Sequence, residues 1–146
     1  MTIEAASLMD EAWIKQLLGL CGLPYEDITP DHLRHFWVIK EKGQIIGVIG
    51  LEVYGRLGLL RSLAVDPRYR NQGLASQLNT KAEEYAASLK IEAFYLLTMT
   101  AERFFSKWGY QRIERNSAPP PVQETAEFQS LCPTSSVCMF KHLKAG

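Results

Sequence analysis

Apolar positions along the chain recur first at helical and then at strand spacing. Over residues 9–21, Trp13, Leu17, Leu18 and Cys21 share one helical face, with Asp10 a candidate cap and Gly22 and Pro24 as stops. Thr29-Pro30-Asp31 carries a start signal for a second, short helical turn. The period then changes. Residues 35–40 and 44–54 are rich in β-branched and aromatic side chains and flank Glu41-Lys42-Gly43, which is the pattern of a β-hairpin. A further strand is predicted over 57–65, ended by Asp66-Pro67. From Gly73 to about Lys90, Leu74, Leu78, Ala82, Tyr85 and Leu89 line one stripe of a long helix. Residues 92–98 form a short, almost unbroken apolar strand, as expected where both faces are covered. A helix over 101–108 is closed by Gly109, and strands follow at 110–113 and near 136–143. Between them, Ala118-Pro119-Pro120-Pro121 excludes regular helix and central strand. The order of elements predicts an α/β (α+β) sheet of mixed strand direction.

Length and charge narrow the function classes. At 146 residues the chain is expected to form one domain, 1–146, and 47% apolar with 22% charged residues suits a globular fold. Sixteen basic and sixteen acidic residues leave no net charge. A general nucleic-acid or membrane-surface binder carries a basic excess, so neither partner is expected and any anion site must be local. No apolar run approaches the ~18 residues that span a bilayer, and the N-terminus lacks a leader pattern. Cys21, Cys132 and Cys138 are odd in number and lack C-x-x-C spacing, which points to a reducing, cytoplasmic setting. His32, His35 and His142 form no metal-binding pattern, so no metal is expected.

The segment from Leu59 to Lys81 carries the candidate chemistry. A strand feeds a short loop, Asp66 to Gly73, that opens the long helix. A helix start presents backbone N–H groups without helical partners and a partial positive charge, which suits phosphate. Gly73 has no Cβ to keep a ligand from the backbone, and Ala75 and Ser76 keep the next turn small. Five basic residues (Arg56, Arg61, Arg68, Arg70, Lys81) and one acid (Asp66) give a local positive excess in a neutral chain. A polyphosphate at the helix start is the ligand this predicts. The same spacing also fits a plain helix-entry glycine with solvated arginines. The P-loop and G-x-G-x-x-G fingerprints are both absent.

Leu63-Ala64-Val65-Asp66-Pro67 followed by Arg70-Asn71-Gln72-Gly73-Leu74-Ala75 resembles the acetyl-CoA signature R/Q-x-x-G-x-G/A of the GNAT N-acetyltransferases. Ala101 to Tyr110 resembles that family's second cofactor helix, and the order of elements fits along nearly the whole chain. Leu59-Leu60-Arg61-Ser62-Leu63, Tyr95 to Ala101 and Glu127 to Pro133 are similar to GNAT proteins associated with arsenic-resistance operons. Leu96-Leu97-Thr98 with Thr100-Ala101 is also similar to N-acetylglutamate synthases. These likenesses imply a mostly antiparallel sheet with a V-shaped splay between its central strands. They imply acetyl transfer from acetyl-CoA to the amine of a small amino-acid-like acceptor, an arsenic-containing analogue among them. A non-catalytic acyl-CoA-binding module and a protein or peptide acetyltransferase stand as alternatives.

The resemblance also implies residue roles. A backbone N–H at Val65 or its neighbour Ala64 would face the oxygen on which charge develops. Leu63 and Val65 would pair with the pantetheine arm as a strand does, and Arg70, Asn71, Gln72, Gly73, Leu74, Ala75 and Ser76 would hold the pyrophosphate. Phe104, Phe105 and Lys107 would lie on the second cofactor helix, with packing in the core the alternative for Phe104 and Phe105. Where the family often has a tyrosine that protonates the leaving thiolate, this chain has Phe105, so that acid does not carry over. Glu52, on the strand beside Leu59–Val65, is the candidate general base, or else an exposed strand residue. Arg61 sits where an unpaired charge is costly: it either holds the acceptor's carboxylate or forms an internal salt bridge. Thr98 and Thr100 are candidates for acceptor or cofactor amides, or mark strand-end polarity. Residues 114–135 are expected to form a flap over the acceptor or a homodimer contact. Cys132 alone is a poor arsenic ligand, since soft metals take two or three convergent thiolates.

Overall fold

The structure, a computed structural model, describes residues 1–143. Strands β1 (Thr2–Ala5), β2 (Phe36–Glu41), β3 (Gln44–Tyr54), β4 (Leu57–Val65), β5 (Ala93–Thr98), β6 (Gln111–Ile113) and β7 (Val137–His142) form a sheet in the order β1-β2-β3-β4-β5-β7-β6. The β1–β2, β2–β3, β5–β7 and β6–β7 ladders are antiparallel, and β4–β5 is parallel over Leu57–Leu59 against Ala93–Tyr95. The helices are α1 (Glu11–Leu20), α2 (Leu74–Ser88), α3 (Glu102–Lys107) and α4 (Pro120–Gln123). Contacts divide the chain into two compact units: Met1–Glu52 with Leu60–Tyr85, and Val53–Leu59 with the chain from Ala86 on.

In the first unit both sheet faces are covered, which explains the apolar runs of β2 and β3. Ile14, Leu17 and Leu18 of α1 share a core with Phe36, Val38 and Val48. The alternate residues face α2: a Cβ on Gly47 would lie 3.2 Å from Leu78 Cδ1. Gly50 is glycine for want of room, since a Cβ there would meet the Phe36 ring at 2.3 Å. Two details depart from the sequence pattern. Trp13 is 62% exposed, because the α1 stripe is centred on Ile14, and Leu89 lies beyond the end of α2 with Ala86 buried in its stead. Strand β1 has no apolar alternation to announce it; it forms by pairing Thr2–Ala5 with Lys40–Trp37.

In the second unit Leu59, Ala118, Val122, Phe128 and Cys138 form the core. The segment 114–135 is wound into short turns rather than irregular chain. Pro120 and Pro121 start α4, where a proline's missing N–H costs nothing, so the exclusion of helix there is corrected. A π-helical turn follows over Glu127–Leu131. Arg115 ties the segment down by donating to the carbonyls of Pro133 (2.7 Å) and Phe128 (2.9 Å). Gly109, at φ 90°, closes α3 with Tyr110 N–H donating to Phe105 O, as its position predicts.

Candidate active site

Strand β4 carries Arg61 into the first unit and breaks its own alternation there. Ser62 has φ 62°, a left-handed conformation that a non-glycine residue holds only where the surroundings impose it. Consecutive side chains, Arg61 and Ser62, are therefore both buried, and Ser62 Oγ accepts from Arg61 Nε at 3.1 Å. Beyond the break, Leu63 and Val65 are half-buried and Ala64 is buried.

The turn after β4 is built to expose backbone. The Asp66 carboxylate accepts from the Arg68 N–H (2.9 Å) and from its guanidinium (3.0 Å), fixing a turn over Pro67–Tyr69. The guanidinium and backbone N–H of Arg68 hold the Asp66 carboxyl below the usual carboxylate range. Asn71 (φ 65°) and Gly73 (φ 78°) both take left-handed backbone, and Arg70, Asn71, Gln72 and Gly73 are exposed. A Cβ on Gly73 would meet nothing within 4 Å, so the start of α2 faces open space. Gly73 O accepts from Gln77 N–H, which begins the helical ladder of α2. Leu74 is buried, while Ala75 and Ser76 are half-buried.

The positive excess of this segment is smaller than the linear count implies. Arg56 pairs with Glu92 (2.8 Å), Arg68 with Asp66, and Arg61 with two carboxylates; Lys81 lies over the Trp37 ring at 4.6 Å. Arg70 pairs with no carboxylate among the described residues. It donates from Nε to Val65 O (3.2 Å) and from Nη2 to Cys21 Sγ (3.7 Å), which leaves it beside the turn as an exposed cation. The cation left beside the start of α2 is thus Arg70 rather than a field of arginines.

Glu52 and Arg61 are brought together, and Asp27 joins them. Arg61 Nη1 donates to Glu52 Oε2 and to Asp27 Oδ2, each at 2.6 Å, and Nη2 donates to Asp27 Oδ1 at 2.8 Å. The Arg61 side chain is fully buried, Glu52 is 7% exposed and Asp27 15%. Glu52 is thus no surface strand residue. Burial pushes the Asp27 carboxyl up, but the hydrogen bonds and charge of Arg61 prevail and hold it below the ordinary value. Donor atoms of Asp27, Glu52 and His32 lie within 4.8 Å of one another, close enough for a metal ion. The guanidinium seated between the two carboxylates already supplies a cation there. Asp27 lies 34 positions from Arg61 in the chain and has no local signal; Ser62 likewise sits in an ordinary strand pattern.

The remaining predicted residues belong to the second unit. Thr98 Oγ1 accepts from Ala101 N–H at 3.0 Å, at the entry to α3, and Thr100 is exposed. Phe105 is buried, with the rings of Phe104 and Tyr110 each 5.2 Å away edge-on, while Lys107 is exposed in the last turn of α3. Cys138 is buried and its thiol pushed up to about 11 by desolvation; Cys132 is half-buried.

Among the described residues no helix is long and apolar enough to cross a membrane. The family model described as an acetyltransferase (GNAT) domain matches residues 32–112. An N-acetyltransferase of Chlorobaculum tepidum is 32% identical over 109 residues, covering 74% of this chain and 68% of that protein. An amino-acid acetyltransferase of Mycobacterium tuberculosis is 30% identical over 105 residues, covering 68% of this chain and 56% of that protein. The fold is similar to that of N-acetylglutamate synthase from Neisseria gonorrhoeae complexed with coenzyme A and N-acetyl-glutamate. Their TM-score is 0.84 at 18% identity, over 98% of this chain and 35% of that one. The chain therefore spans little more than half of the second relative and about a third of the synthase.

Proposed function

The chain belongs to the GNAT acetyltransferase family, as an N-acetyltransferase, and from that premise we propose that it transfers acetyl from acetyl-CoA to the amine of a small amino-acid-like acceptor. The observation that carries this reading is the turn at Arg70–Gly73: exposed, left-handed at two residues, and open above Gly73. It fits a diphosphate, which accepts from backbone N–H groups at a helix start and gains from the helix dipole. Arg70 adds a cation within reach of that start once it leaves the Val65 carbonyl. Leu63 and Val65 hold the arm that follows the diphosphate. The bound acetyl-CoA supplies an activated thioester carbonyl. The N–H of Val65, or of its neighbour Ala64, donates toward the oxygen that gains charge. Glu52 takes the proton from the attacking amine, directly or through one water, and Arg61 fixes the position of Glu52. Because Phe105 has no proton to donate, sulfur leaves as the thiolate. Thr98, Thr100, Phe104 and Lys107, all in the second unit, complete the reading as acceptor and cofactor contacts.

The Mycobacterium and Neisseria relatives favour an amino acid as acceptor. The likeness of Tyr95–Ala101 and Glu127–Pro133 to arsenic-operon proteins adds arsenic-containing amino-acid analogues to that class. Thiol release from acetyl-CoA, measured with free amino acids, amino-acid amides and peptides, tests the reading. Turnover with free amino acids is expected. Phe105 favours a second reading, a non-catalytic acyl-CoA module, and tight CoA binding with no turnover on any amine would establish it instead.

A further inference from the structure

We propose that Asp27 is an internal stand-in for the acceptor's carboxylate on Arg61, and so sets which amines the site accepts. The proposal rests on the reading of Arg61 as the acceptor's carboxylate site. Asp27 holds Nη1 and Nη2 with its two oxygens at 2.6 and 2.8 Å, the two-pronged geometry in which arginine takes a free carboxylate. Two other partners of the guanidinium come from the sheet. Glu52 is fixed on β3, and Ser62, the next residue on β4, holds Nε. Asp27 comes instead from the loop between α1 and β2 and is the most exposed of the ionised partners. It is the one that can leave.

The charge count makes exchange necessary. Two carboxylates, with His32 beside Asp27, already surround one buried guanidinium, and a third carboxylate would add a further negative charge to a buried cluster. An acceptor carboxylate reaches Arg61 only by replacing Asp27, which leaves the count unchanged. The loop need not open for this. Ile28, next to Asp27, is buried in the core, and its N–H donates to Tyr25 O at 3.1 Å, so the backbone is anchored while the Asp27 side chain rotates outward. An amine without a carboxylate has nothing to exchange and gains nothing from Arg61. The acceptors this selects are zwitterionic amino acids, bound more weakly than Arg61 alone would bind them.

The test compares KM for free amino acids with KM for their amides, at saturating acetyl-CoA, in the wild type and in Asp27→Ala and Asp27→Asn. Removing the internal competitor should lower the acid-to-amide KM ratio by about tenfold in Asp27→Ala, a factor of the size expected for one hydrogen-bonded charge pair. Asp27→Asn keeps the shape and one oxygen, and should lower the ratio by less. A ratio that stays constant or rises in both variants would overturn the proposal, as would loss of folding in both, which would make Asp27 a structural counter-ion. A wild type that turns over acids and amides alike would overturn it too, while leaving the acetyltransferase reading intact. Absence of turnover with every amine defeats that reading itself and is seen before any variant is made.

Discussion

Replacing Arg61 with methionine removes the guanidinium seated between Glu52 and Asp27 while keeping a side chain of similar length. Both carboxylates have an oxygen 2.6 Å from Arg61 Nη1, and both are largely withdrawn from water. Leaving a buried partner uncompensated costs about 3–5 kcal/mol. Against a total stability of roughly 5–15 kcal/mol, this is a large fraction. With a urea dependence near ~2 kcal/mol per molar, the unfolding midpoint of Arg61→Met should fall by about 2 M. At roughly 2–4 °C per kcal/mol for a chain of this size, the melting temperature should fall by about 6–20 °C. Adding Glu52→Gln and Asp27→Asn to the same chain should restore part of the loss, because the orphaned charges are gone. Urea titrations followed by circular dichroism measure all three proteins. A loss below about 1 kcal/mol in Arg61→Met would refute the reasoning, since the cluster would then be screened by water after all.

Three further outcomes follow from the geometry. Gly73→Glu should abolish CoA binding in calorimetry, because the side chain enters the open space above the turn and repels phosphate. The left-handed backbone there adds only about 1–2 kcal/mol of strain, so the protein should stay folded, and unchanged affinity would count against the anion site. Asp10, Asp27 and Asp66 all have carboxyls held below the ordinary value, so they stabilise the fold above a pH of about 4 and lose that contribution as pH falls through their folded values. Burial likewise holds the His35 imidazole below its ordinary value, so the urea midpoint should begin to fall below a pH of about 6.5 and drop further in acid; a rise in acid would contradict this. Cys138, with its thiol pushed up to about 11, should resist iodoacetamide at pH 8 while Cys21 and Cys132 react, as mass spectrometry of the labelled peptides would show.

The elements legible in the sequence are those with two-sided or one-sided apolar patterns and a glycine or proline at the end. Strand β4 ends at Asp66-Pro67, α2 begins after Gly73 and α3 closes at Gly109, as the residues there require. The boundaries of the hairpin, Phe36–Glu41 and Gln44–Tyr54, follow the switch from helical to strand spacing. Strand β1 stayed illegible because its burial is almost nil and its partner lies more than thirty residues away. The prolines at 119–121 misled for a local reason: a proline forbidden inside a helix is favoured at its first position. The candidate site divides the same way. The turn at Arg70–Gly73 is a continuous segment with its own backbone chemistry, so its place at the start of α2 is legible from spacing. The pairing of Arg61 with Asp27 joins a strand to a distant loop, and the left-handed Ser62 is set by the packing around it; neither leaves a mark in the local pattern. A linear count of basic residues overstates the positive field for a related reason, since Glu92, Glu52 and Asp27, which offset them, lie outside the counted segment.

The claim on which the account depends is that backbone N–H groups at the start of α2 grip a diphosphate. Amide chemical shifts report this directly. Adding CoA to the nitrogen-15-labelled protein should move the resonances of Gly73, Leu74, Ala75 and Ser76, and adding pantetheine, which has no diphosphate, should leave those four in place. If CoA binds while these four amides stay still, or if pantetheine moves them as far, the turn is not the phosphate site.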